Sequence, residues 1–257
     1  MIDHLSYSSI SKYLKCGKQW KYRYLDKLQE ESSEALLFGS AWHKMIREYL
    51  TMEKPDFLPA WSKSFNQVLE GIDASGDWFM DMDILGQKML TSPDITKTIQ
   101  GLSIKPESLE METELHIPGV SVPIVGFIDM IDTDNVPIDI KTSSKKWSQE
   151  KADTDLQATF YLAALEQAGM IQLPATFRFM VFTKTKNPDV QILETTRTHK
   201  DVFTLYALVN EVWQAIQREV FMPTDPGNWW CSHKYCSFWD VCEYGGFSYR
   251  LLFLLFL

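Results

Sequence analysis

Between residues 110 and 141 the chain changes character. Residues 110–117, 122–131 and 136–141 are short segments rich in β-branched and apolar residues, separated by the turn signals Pro118-Gly119 and Asp134-Asn135. That pattern predicts three antiparallel strands joined by tight turns. In the third segment Asp139 and Lys141 alternate around Ile140, which puts both side chains on one face of a strand. The turn at Asp134-Asn135 then brings Asp129, near the end of the second segment, opposite that pair. Taken one at a time, Asp129 reads as a turn residue and Asp139 with Lys141 as an ordinary strand ion pair. Taken together, two carboxylates and an ammonium converge where a hard divalent cation finds oxygen ligands. Phosphodiester cleavage is one reaction that can use such a site, a metal polarising the phosphate and acidifying a bound water while the lysine orients that water or meets developing negative charge.

Helical periodicity surrounds these strands. Residues 6–28 begin with capping serines and carry apolar residues at helical spacing, interrupted at Gly17, so they read as two short helices or one broken helix with Cys16 at the break. Residues 35–50 read as a helix whose apolar side is Leu36, Leu37, Trp42, Met45, Ile46, Tyr49 and Leu50, and further helices are expected at 56–69 and in a stretch within 79–102. Beyond the strands, 153–168 is helical, 176–183 and 190–196 are strands joined through Asn187-Pro188, and 201–220 is a long helix. Pro137 marks an edge or an irregular strand start, because it donates no ladder hydrogen bond. The order predicts a mixed α/β fold with a central sheet of about five strands flanked by helices.

At 257 residues the chain is expected to form one domain. Its sections are a mainly helical 1–105, a core at 106–222, a cysteine-bearing appendage at 223–246 and an apolar tail at 247–257, to which no function is assigned. No apolar run approaches the roughly 20 residues that cross a bilayer, and no early segment has a signal-peptide layout. An intracellular protein with no membrane partner is therefore expected. A net charge of −9 argues against nucleic acid as a partner, yet the charge is unevenly placed. Lys12, Lys15, Lys18, Lys21, Arg23 and Lys27 gather within the first 27 residues, with Tyr13, Trp20, Tyr22 and Tyr24 among them. A solvated charged face is one reading. A nucleic-acid path, with Lys12, Lys15 and Lys18 on phosphates and aromatics stacking bases, is the other.

The motifs Gly126-Phe127-Ile128-Asp129, Asp139-Ile140-Lys141-Thr142 and Gln157-Ala158-Thr159-Phe160-Tyr161, in this order, resemble the core motifs of RecB-family PD-(D/E)XK nucleases. His43, in Phe38-Gly39-Ser40-Ala41-Trp42-His43, matches the upstream histidine of that family. The resemblance spans nearly the whole chain. It implies a restriction-endonuclease-like core in which His43, Asp129, Asp139 and the Ile140 carbonyl hold Mg²⁺ or Mn²⁺ and Lys141 is the catalytic lysine. Gln157 and Tyr161, four residues apart on one helix face, position DNA or Lys141. Glu112 and Glu114 alternate on the preceding strand, with Glu114 ranked first as a further metal ligand. The implied activity is DNA hydrolysis, exonucleolytic and directed at single-stranded or end-containing substrates. A non-catalytic DNA-binding or assembly subunit that retains the fold is the alternative, and activity on matched RNA and DNA strands separates a ribonuclease.

Four cysteines in a reducing compartment point to ligation rather than disulfides. Cys231, Cys236 and Cys242 form a C-terminal group and Cys16 lies far upstream. Four thiolates suit zinc or an iron–sulfur cluster, and spacing alone does not separate the two. One early cysteine with a C-terminal triplet, flanked by Trp229-Trp230 and Phe238-Trp239, resembles the iron–sulfur clasp of AddB-type and CRISPR-associated RecB-like nucleases, which implies a [4Fe–4S] cluster tying the N-terminal helix to the C-terminal region.

Overall fold

The computed structural model describes residues 2–30, 32–72 and 76–245, so the apolar tail read from the sequence lies outside the described residues. The chain divides into two units, one built from residues 1–31, 114–126 and 203–257 and the other from 32–113 and 127–202.

In the first unit, α1 (Tyr7–Lys15) opens on a capping box in which Ser6 and Ser9 exchange side-chain and backbone hydrogen bonds. Cys16 breaks the helix in an extended conformation, and α2 (Gly17–Trp20) restarts it and runs on as a π-helical turn, Lys21–Leu25. Gly17 is required there, since a Cβ would stand 2.8 Å from the Met222 backbone nitrogen. The segment past residue 220 therefore lies directly on the restart of the helix, with the Phe221 ring stacked on Trp20 at 5.7 Å. The stretch that follows, to residue 245, is a succession of turns.

The second unit holds α3 (Glu34–Thr51), α4 (Phe57–Leu69), α5 (Trp78–Leu90) and α6 (Pro93–Gln100), then a sheet. Strands β1 (Met111–Leu115) and β2 (Ile124–Ile128) pair with each other, and each crosses the point where the chain passes between the units. The larger sheet runs β3 (Met130–Ile131), β4 (Pro137–Ser143), β5 (Ala175–Thr183), β6 (Asp189–Arg197). Only β4 and β5 are parallel, so the sheet is mixed. It has four strands rather than about five, and the segment expected to be one strand over 122–131 breaks at Asp129, its two parts joining different sheets. Pro137 is the first residue of β4, where its missing N–H costs no ladder bond.

Strand alternation decides what each face of β4 meets. Ile138 and Ile140, with Met180 and Phe182 of β5, join a buried core with Phe38, Trp42, Met45 and Ile46 of α3 and residues of α4 to α6. Asp139 and Lys141 face the other way, toward α7 (Gln149–Thr154) and α8 (Leu156–Gln167), where Tyr161 stacks on Phe177 at 6.0 Å. After β6 comes α9 (His199–Gln217).

At the centre of the helical core Trp61 packs against Phe38, Trp42 and Phe65 and donates its indole N–H to Asp83 at 2.7 Å, so it has nowhere to move. A Cβ on Gly86 of α5 would sit 2.0 Å from its ring. Alanine gains up to about 1 kcal/mol over glycine in helix propensity, but overpacking a rigid core costs about 1–3 kcal/mol. Gly86→Ala is therefore expected to lower the urea midpoint, and an unchanged or raised midpoint would contradict the packing described.

Candidate active site and cysteine cluster

Because β3 is only two residues long, β4 from Asp139 onward has no partner on that side. Asp129, between β2 and β3, fills the gap. Its Oδ2 accepts the Ile140 backbone N–H at 2.6 Å and its Oδ1 lies 3.2 Å from His43 Nδ1, delivered by α3. The backbone carbonyl of Asp129 accepts the Glu110 N–H at 3.0 Å.

On the opposite face of β4, Asp139 is almost fully buried. Lys141 Nζ stands 2.8 Å from Asp139 Oδ2 and donates to Gln157 Oε1 at 2.6 Å, while Gln157 Nε2 donates to Asp139 Oδ1 at 2.7 Å. The Lys141–Asp139 approach is close but poorly aligned, so Oδ2 has no well-formed hydrogen bond although its charge is paired. Gln157 owes its place to Asp155, which caps α8 by accepting the Gln157 N–H at 3.0 Å. One turn on, Tyr161 Oη lies 3.4 Å from Gln157 Nε2 and donates to the Phe127 carbonyl at 2.6 Å.

Burial pushes the Asp139 carboxyl up to about 6, against the pull of Lys141. Burial disfavours both the Lys141 ammonium and the His43 imidazolium, but Asp139 for the first and Asp129 for the second outweigh it and raise both groups. Tyr161 is held up at about 12 by burial. The result is a low-dielectric patch in which each acid faces a base.

His43, Ile140 and Lys141 line a cleft of about 470 Å³ together with Ala35, Leu36, Gly39, Ser40, Lys44, Glu110 and Thr142. Of the residues singled out from the sequence, His43, Asp129, Asp139, Ile140, Lys141, Gln157 and Tyr161 thus stand in one connected set. Glu114 belongs to the other unit and pairs with His116 at 3.3 Å. The carboxylate at the cleft is Glu110, which pairs with Arg47. Glu110 shares the strand parity of Glu112 and Glu114 but is not among the residues singled out with them, and in the structure it precedes β1 with a left-handed backbone, φ 51°. Among the described residues no three His, Cys, Asp or Glu side chains stand ready-arranged around a metal position. The carboxylate oxygens are turned instead toward Lys141, Gln157, His43 and the Ile140 N–H.

The lysines of the N-terminal run are largely engaged within their own unit. Lys12 donates to both oxygens of Glu30 at 2.8 and 2.7 Å, Lys18 pairs with Glu243, and Lys15 lies 5.8 Å over the Trp230 ring. In the same unit Cys16, Cys231, Cys236 and Cys242 all line one small enclosed cavity of about 20 Å³, and all four are free thiols. Gln19 Nε2 reaches Cys236 Sγ at 3.3 Å. Burial raises the Cys231 thiol, with the neighbouring cysteines adding to it, and burial likewise raises Cys236 over the opposing hydrogen bonds from Phe238 and Gln19.

A family model for the PD-(D/E)XK nuclease superfamily matches residues 4–243. Among solved structures, the "Putative exonuclease" of Eubacterium rectale aligns over 86% of this chain and 85% of its own at 14% identity, with a TM-score of 0.56, a likeness of fold. The structure of SSO0001 aligns over 91% of this chain and 94% of its own at 18% identity, with a TM-score of 0.36, too low to bear on the fold. No curated protein matches significantly.

Among the described residues Gln157 is the one side chain that bonds both Asp139 and Lys141, so its removal leaves a buried carboxylate and a half-buried ammonium short of a partner. Gln157→Ala is expected to lower unfolding free energy by about 1–3 kcal/mol, and Tyr161→Phe, which deletes one hydrogen bond, by about 1 kcal/mol. Denaturant melts check both, and a smaller loss for Gln157→Ala than for Tyr161→Phe would contradict the network.

Proposed function

Since the chain belongs to the PD-(D/E)XK nuclease superfamily, we propose that it is a divalent-metal-dependent deoxyribonuclease of the RecB-like kind, an exonuclease acting on single-stranded or end-bearing DNA. The observation that carries this reading is the single connected set of Asp129, Asp139, Lys141, His43 and Gln157 beside an open cleft.

The donor set suits Mg²⁺ or Mn²⁺. Two carboxylates, a strand carbonyl and an imidazole are the ligand types such ions accept, and Asp139 keeps one buried oxygen without a well-formed hydrogen bond. Asp129, Asp139, His43 and the Ile140 carbonyl would hold the ion. When bound, it supplies Lewis-acid polarisation of the phosphate and a more acidic water. The chain's own groups do the rest. Lys141 keeps its proton and presents a positive charge to the phosphate oxygens as negative charge builds on them. Gln157 fixes the ammonium against Asp139, and Tyr161 fixes that face of α8 to the backbone at Phe127. We read the four cysteines as ligands of a [4Fe–4S] cluster, with zinc as the alternative. What supports ligation is four free thiols around one cavity in a chain with no other cysteine.

Asp139→Ala is expected to abolish cleavage of single-stranded DNA in Mg²⁺ or Mn²⁺ while leaving DNA binding largely intact, and Lys141→Ala to lower kcat by about 10²–10³-fold with less loss of metal affinity. Undiminished cleavage by either clean preparation sinks the assignment. Anaerobically purified protein is expected to be brown, with broad absorption near roughly 400 nm from thiolate-to-iron charge transfer. A colourless preparation with stoichiometric zinc favours the alternative, and a protein with neither metal removes ligation altogether.

A further inference from the structure

A chain of net charge −9 that handles DNA has to place its free cations where the phosphates run. Two short segments concentrate them. Residues 144–151 and 184–189, which include the loops after the parallel neighbours β4 and β5, carry five lysines against two carboxylates, Glu150 and Asp189. One carboxylate is used locally, Asp189 pairing with Lys146 at 2.6 Å. Among the described residues Lys145, Lys184 and Lys186 form no ion pair with a carboxylate, unlike Lys12, Lys18 and Lys21 of the N-terminal run.

The loops are also held in place. The Ser143 carbonyl accepts the Lys184 N–H at 2.7 Å, locking one loop start to the other. Gln191 of β6 grips both backbone groups of Trp147, accepting its N–H at 2.8 Å and donating to its carbonyl at 3.2 Å. Lys151 lies 3.6 Å over the Trp147 ring. Lys184 is half-buried, its ammonium 4.9 Å over the Phe38 ring, and burial with no carboxylate in reach lowers its pKa. An ammonium so placed gains from an incoming anion. Position completes the case. The cleft lining follows β4 from Lys141 to Thr142, and the Lys184 backbone is hydrogen-bonded one residue further on. From Lys141 to Ser143 is about 7 Å at strand rise, or about two nucleotide steps along one strand of a duplex.

We propose that the DNA strand leaves the cleft over the β4 and β5 loops, with Lys145, Lys184 and Lys186 on its phosphates. This rests on the nuclease reading above and names the path that the substrate takes through it. The test is fluorescence anisotropy of a single-stranded oligonucleotide in Ca²⁺, titrated over a salt series, for wild type and for Lys145→Gln/Lys184→Met/Lys186→Gln, in which methionine keeps the apolar stem over Phe38. The expected result is at least a ten-fold rise in Kd and a salt slope shallower by about 2, at about 0.7 per single-strand phosphate contact. The loss is expected to exceed that of a Lys12/Lys15/Lys18→Gln variant. Should the triple variant misfold, Lys145→Gln/Lys186→Gln, at two exposed positions, is expected to flatten the slope by about 1.4 on the same basis. An unchanged slope in a folded variant, or a greater loss from the N-terminal variant, overturns the path and leaves the nuclease reading standing. A wild type that binds no DNA overturns both.

Discussion

The hydrogen bond from the Ile140 N–H to the Asp129 carboxylate is the constraint on which the site is built. A strand edge inside a protein presents donors that must be satisfied. Here β3 ends after two residues, and a side chain takes over from the missing backbone. That substitution fixes the Asp129 carboxylate beside β4 and points its second oxygen at His43. Had β3 continued, the edge would be closed and the cleft beside Ile140, Lys141 and Thr142 filled by a strand.

The same strand solves a second problem by alternation. Its apolar side chains seal the core formed with α3 to α6, which lets the opposite face carry Asp139 and Lys141 in a setting with little water. Burying such a pair is costly, and it is tolerated only when further hydrogen bonds complete the geometry. Gln157 supplies them to both partners at once. The price appears in the upward shift of the Asp139 carboxyl, which marks a charge kept where water would not choose to leave it.

Much of this was legible in the sequence because the relevant rules are local. Period-two alternation placed Asp139 and Lys141 on one face, helical periodicity gave α3 and α4 nearly to the residue, and Cys16 was read at the break that separates α1 from α2. What was not legible depends on partners distant in the chain. The break at Asp129 goes with hydrogen bonds from the Glu110 and Ile140 N–H groups, and strand periodicity around residue 129 carries no sign of either. Alternation set Glu110 in line with Glu112 and Glu114, and the left-handed backbone that ends the strand before it could not be read from that pattern. The N-terminal lysines stood out as a run, yet the carboxylates that engage Lys12 and Lys18, Glu30 and Glu243, lie outside it, the second more than two hundred residues away.

The unit that gathers the four cysteines takes most of its residues from segments 1–31 and 203–257, with all of the other unit's residues written between them. This sets an order of events at the ribosome. The helices of residues 7–25 emerge first but cannot complete their surroundings until the segment carrying Cys231, Cys236 and Cys242 is made. Residues 32–202, which hold every residue of the second unit, are finished earlier. At about 5–20 residues per second, Cys16 precedes Cys231 on the nascent chain by about 10–45 seconds, an interval in which every residue of the acidic set is made.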